Sequence, residues 1–67
     1  MKNNIRVERA RKRITQQELA DVLHVTRQTI NAIELGKYSP SAVLALKMSR
    51  YFNVSVNDLF ELEDSDE

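Results

Sequence analysis

The chain has no cysteine and no tryptophan, one glycine, one proline and one histidine. Without cysteine there are no disulfide staples and no thiolate metal ligands, so a reducing, cytoplasmic setting suits it. A single Gly and a single Pro leave little for hairpins and favour helices joined by short turns. No apolar run comes near the ~18 residues of a membrane span. The longest is Ala42-Val43-Leu44-Ala45-Leu46, and Met1 is followed by polar residues rather than by the apolar stretch of a signal peptide. The lone His24 lacks partners for a metal site or a catalytic pair, and the many Ser and Thr hydroxyls have capping roles with no base nearby. These scarcities predict a protein that is not an enzyme, takes no metal or other cofactor, binds no small-molecule ligand and has no membrane partner.

An excess of charge is missing as well: ten bases balance ten acids. The distribution is uneven, however. Residues 1–13 carry Lys2, Arg6, Arg9, Arg11, Lys12 and Arg13 against Glu8, a net of +5. Residues 56–67 hold six acids and no base, a net of −6, and the middle sums to +1. A neutral total thus conceals a basic end and an acidic end. Sixty-seven residues make one domain, with a core over residues 4–62 and an acidic tail at 63–67. A fold of this size buries only about 60% of its unfolded surface, so it needs close packing or a partner.

Start and stop signals divide the chain into five short helices. The first runs from Asn3 or Asn4 to Arg13, with Ile5 and Ala10 apolar. Thr15-Gln16-Gln17-Glu18 has the form of a capping box and opens a second helix carrying Leu19, Ala20 and Leu23. Thr26 caps a third, with Ile30 and Ile33 inward and Gly36 as a left-handed stop. Ser39-Pro40 reads as N-cap and first helical position of a fourth, with Ser41 as the alternative cap; Val43, Leu44, Leu46, Met48 and Phe52 follow. Ser55-Val56-Asn57-Asp58 is a second capping box, before Leu59 and Phe60. The polar tail Glu63–Glu67 is expected to fray.

Residues 16–35 carry the functional signal. Leu19, Ala20, Leu23, Val25, Ile30 and Ile33 fall where two crossing helices need core contacts, and Ala20 is small where they approach. The turn at His24 is so short that the third helix leaves steeply, at about 90–120° as in helix-turn-helix pairs, and protrudes. Its outward residues are Arg27, Gln28, Asn31 and Ala32, with no acid and no large apolar group. Arg can fork onto guanine O6 and N7, Gln or Asn onto adenine N6 and N7, and Ala can touch a thymine methyl. On an isolated helix such residues are ordinary solvent-facing groups; behind a capped, Gln-bearing helix they point to DNA.

The run from Ile14 to Ser41, continued through Phe52-Asn-Val-Ser-Val-Asn-Asp-Leu-Phe60, resembles the Cro/CI-type (XRE) helix-turn-helix family, and most closely its short single-domain repressors. The resemblance implies an all-α, five-helix, lambda-repressor-like domain that binds double-stranded operator DNA as a two-fold dimer, with the third helix in the major groove. By position, Arg27, Gln28, Asn31 and Ala32 fall on the base-reading face. Gln16 matches the family's phosphate-contacting glutamine, Lys37 and Tyr38 resemble a second backbone clamp, and Thr29 is a further phosphate candidate. Arg9 and Glu34 match a structural pair joining the first helix to the end of the third. Two positions depart from the usual pattern: His24 stands where a glycine makes the turn, and Glu8 where an apolar residue packs the first helix. A homodimer interface is expected at Val56, Leu59, Phe60 and Leu62, four large apolar groups in seven residues. A short antiparallel pairing of Met1–Asn3 with Glu61–Glu63 is expected beside it. The alternatives are a protein-docking module of the same fold, for which exposed Leu, Phe or Trp on the third helix is the expected mark, and the antitoxin of a toxin–antitoxin pair.

Overall fold

Five α-helices and a two-stranded antiparallel ribbon make up the fold, seen in a computed structural model that describes residues 1–66. In chain order they are β1 (Lys2–Asn3), α1 (Ile5–Lys12), α2 (Gln16–Leu23), α3 (Arg27–Glu34), α4 (Ala42–Phe52), α5 (Val56–Leu59) and β2 (Phe60–Glu61), followed by a 3₁₀ turn at Asp64–Asp66. Every helix contributes to one core: Ile5 from α1, Leu19, Ala20 and Leu23 from α2, Ile30 and Ile33 from α3, Leu44, Met48 and Phe52 from α4, and Leu59 from α5, with Phe60 beside it. Each fully buried Leu or Ile contributes about 1.5–3 kcal/mol over an exposed one, which is what holds so short a chain together.

The helix starts follow from local chemistry. Thr15 Oγ1 accepts from the Glu18 N–H at 3.0 Å while Glu18 Oε1 accepts from the Thr15 N–H at 3.1 Å, a reciprocal capping box. Ser55 and Asp58 repeat it, and Thr26 Oγ1 accepts from the Thr29 N–H at 3.2 Å. Ser41, not Ser39, caps α4, because its hydroxyl reaches the Leu44 N–H at 3.1 Å. Pro40 therefore lies ahead of the helix.

Four of the five α-helix ends share one device. Arg13, His24 and Asn53 close α1, α2 and α4 in the left-handed region, at φ 57°, 58° and 57°, and Gly36 closes α3 at φ 75°. The N–H of the next residue then donates back into the helix: Ile14 to Arg9 O, Val25 to Ala20 O, Val54 to Ser49 O and Lys37 to Ala32 O, at 2.9–3.1 Å. Ile14, Val25 and Val54 continue onto the core, so three of the stops are also clasps.

The ribbon differs from expectation by one residue of register. Lys2 pairs with Glu61 and Asn3 with Phe60, within one protomer. Helix α1 consequently begins at Ile5 rather than at Asn3, which is a strand residue. Buried Phe60 fixes the register: a one-residue slip exchanges the faces of the strand. The tail is folded back through residue 66, with the Met1 ammonium 3.2 Å from both Glu63 and Asp66 carboxylates. Glu67, the last residue of the expected frayed tail, lies outside the described residues.

Candidate nucleic-acid interface

Three residues, His24, Val25 and Thr26, separate α2 from α3. Buried Leu19, Ala20 and Leu23 meet buried Ile30 and Ile33 across the turn, and full burial of Ala20 leaves no room for a longer side chain there. The opposite side of α3 is open. Arg27, Gln28 and Asn31 are exposed and line one shallow polar depression, while Ala32 and Thr29 are half-buried. Thr29 Oγ1 lies 3.0 Å from Thr26 Oγ1 at the helix start. Lys37 and Tyr38 follow Gly36 in the loop and are exposed; Tyr38 and Thr29 share a groove with His24, Val43 and Lys47.

The one acid of α3 is neutralised. Arg9 Nε donates to Glu34 Oε2 at 2.7 Å and Nη2 to Oε1 at 3.0 Å, with side chains 15% and 7% exposed. Hydrogen bonding to Glu34 raises the Arg9 guanidinium further above its already high ordinary range, so the cation persists at any working pH. Arg9 Nη1 also donates to Ile14 O at 3.1 Å, which ties the α1 stop to the same pair.

Gln16 takes an orientation that the sequence did not announce. Its Nε2 donates to Asn31 Oδ1 and to Glu34 Oε1, both at 3.2 Å, so the side-chain amide is turned onto α3 rather than outward. The main-chain N–H groups of Gln16 and Gln17, at the first turn of α2, have no carbonyl partner within the helix. Asn3 is a second unannounced contributor: its Nδ2 donates to Ile33 O at 2.8 Å and so anchors the end of α3 from β1. Only the folded chain brings these residues, 30 positions apart, together.

The residues expected at a dimer interface divide. Leu59 is 0% exposed and Phe60 8%, because the end of α5 and the start of β2 turn them into the protomer's own core, against the expectation that they form a dimer contact. Val56 is half-buried, and Leu62 alone is fully open at 69%.

A capped helix, a three-residue turn and a second helix whose outer face is polar and acid-free define a helix-turn-helix protein. The helix-turn-helix family model matches residues 5–59. An uncharacterised HTH-type transcriptional regulator of Methanocaldococcus jannaschii is 48% identical, the alignment covering 98% of this chain and 100% of that one. Uncharacterised HTH-type transcriptional regulators of Archaeoglobus fulgidus and Bacillus subtilis are 46% and 45% identical, over 98% and 96% of this chain and 94% and 97% of theirs. The chain belongs to the Cro/CI-type (XRE) helix-turn-helix family of DNA-binding transcriptional regulators. Among the described residues, no helix is long and apolar enough to cross a membrane.

Proposed function

We propose that this chain is a sequence-specific regulator of transcription that binds double-stranded operator DNA as a homodimer, inserts α3 into the major groove and represses by occupying its site. The observation that carries the reading is the exposed triad Arg27, Gln28 and Asn31, free of acids and large apolar groups and held on a helix whose other side is fully buried. Arg27 suits guanine, Gln28 suits adenine, and the Ala32 methyl suits thymine. Lys37, Tyr38 and Thr29 flank the triad as phosphate contacts, which fix register without reading sequence. Gln16 joins them through its main-chain N–H, where the positive end of the α2 dipole favours an anion.

Selection from random duplexes, followed by binding measurements, tests this. Gln28→Ala is expected to weaken the selected site by about 1–3 kcal/mol and to leave random DNA nearly unchanged. Lys37→Ala is expected to weaken both alike and to lower the salt slope by about 1. Wild-type protein that selects no sequence, or a Gln28→Ala variant that binds its site unchanged, overturns the assignment of α3 as the reading helix.

A further inference from the structure

Four side chains from three helices form one hydrogen-bonded line: Arg9 on α1, Glu34 and Asn31 on α3, and Gln16 on α2. Its polarity is forced at every step. Arg9 only donates, and it engages both oxygens of Glu34 at 2.7 and 3.0 Å, so both of those oxygens act as acceptors. The Gln16 group 3.2 Å from Glu34 Oε1 must therefore be the NH₂ and not the carbonyl. That same nitrogen lies 3.2 Å from the Asn31 amide, and its second hydrogen requires an oxygen there. The Asn31 carbonyl is thereby turned toward Gln16, and its NH₂ is left to face outward from exposed α3.

An unrestrained asparagine exchanges its oxygen and nitrogen by turning its amide over, and it offers adenine the acceptor–donor pair that N6 and N7 need. Asn31 lacks that freedom. We propose that this line presents Asn31 to the groove as a hydrogen-bond donor, so that it selects the acceptor edge of guanine, N7 and O6, over adenine. Gln16 and Glu34 then set base preference as positioning residues that touch no base. The proposal rests on the DNA-binding reading above and adds to it which edge one residue reads and what decides it. It also gives Gln16 a specificity role in place of a side-chain contact to phosphate.

The experiment compares duplex selections by the wild type, Asn31→Ala and Gln16→Ala. Asn31→Ala identifies the base pair that Asn31 reads, as the position whose preference disappears. At that pair the wild type is expected to prefer guanine. Gln16→Ala, which frees the amide and leaves the Arg9–Glu34 pair intact, is expected to lower the guanine-to-adenine ratio by about fivefold to tenfold, the order of one base-edge contact. Preferences set by Arg27 and Gln28 are expected to stay as they are. Gln16 lies outside the core, so Gln16→Ala is expected to keep the wild-type melting temperature. Side-chain amide resonances of the unaltered protein give an independent reading: the Gln16 NH₂ is expected to exchange more slowly with solvent than that of Asn31. Adenine preferred by the wild type at the Asn31 position, an unchanged ratio in Gln16→Ala, or a Gln16 NH₂ exchanging as fast as that of Asn31 overturns the relay while leaving DNA binding in place. A wild type that selects no sequence overturns both.

Discussion

Arg13, His24 and Asn53 each hold a left-handed conformation that glycine adopts freely. For a residue with a Cβ this costs about 1–2 kcal/mol, less for Asn, whose short amide is suited to that region. Glycine returns part of the gain through its larger unfolded entropy, about 0.5–1 kcal/mol. His24→Gly and Arg13→Gly are therefore each expected to stabilise the fold by about 0.5–1 kcal/mol. In a domain of this size that is a rise of about 2–8 °C in melting temperature. Asn53→Gly is expected to gain less. Thermal melts of the three variants check the order, and a loss on His24→Gly would show that the imidazole has a packing partner. The left-handed turn at His24 was legible, since the pattern of the family that the chain resembles has glycine at that slot. Nothing local marks Arg13, whose conformation follows from Ile14 having to turn back onto the core.

Individual elements were legible to the extent that their signals are local. Capping boxes at Thr15 and Ser55 and the stop at Gly36 act over three or four residues, and the helices they bound fall where the spacing predicts. The start of α4 was ambiguous because Ser39 and Ser41 are equivalent in sequence; only the hydroxyl's reach to Leu44 separates them. The facing of α5 was not legible, since four residues give no period from which an inner side can be told. The same limit applies to Gln16, whose position at the head of α2 suggests an outward role while Glu34 and Asn31 draw its amide in. The Arg9–Glu34 pair belongs to this scale, because it links α1 to α3. Arg9→Ala or Glu34→Ala alone is expected to cost about 2–4 kcal/mol by stranding the other, largely buried charge. The double variant is expected to lose less than the sum. A coupling energy near zero in the double-mutant cycle would show that the pair contributes no more than a surface contact.

For the whole molecule, burial of Leu59 and Phe60 narrows the proposed dimer contact to Leu62 with half-buried Val56. Leu62→Lys is expected to weaken self-association by at least about tenfold, equivalent to about 1.4 kcal/mol, in sedimentation equilibrium. Its melting as a monomer should be unchanged. A wild type that stays monomeric at about tens of micromolar, free and on DNA, would exclude the dimer. The Met1 ammonium gives the closed ends a pH window. Its hydrogen bonds to the Asp66 and Glu63 carboxylates raise it above its ordinary 8.0, so its contribution is complete below that value and disappears as pH rises through the elevated one. Asp66 is held below 3.8, first by the Glu63 N–H and then by the ammonium, so its contribution is present above that value and disappears as pH falls through the depressed one. Protection of the Asn4 amide, whose N–H donates to Leu59 O at 2.8 Å, is expected to be greatest between these limits, measured relative to the unstructured exchange rate at each pH, and to fall on either side.

The pairing of Lys2 with Glu61 has a kinetic side as well. It closes nearly the entire chain into one loop, at an entropic cost that grows with the logarithm of loop length, about 3–4 kcal/mol at this span. The α2–α3 pair closes across three residues at almost none of that cost. Folding is accordingly expected to nucleate in the middle of the sequence and to finish at its ends, with opening in reverse. Helix α3 is then expected to assemble early and be released late, and hydrogen exchange is expected to show the ribbon opening more often than the α2–α3 unit.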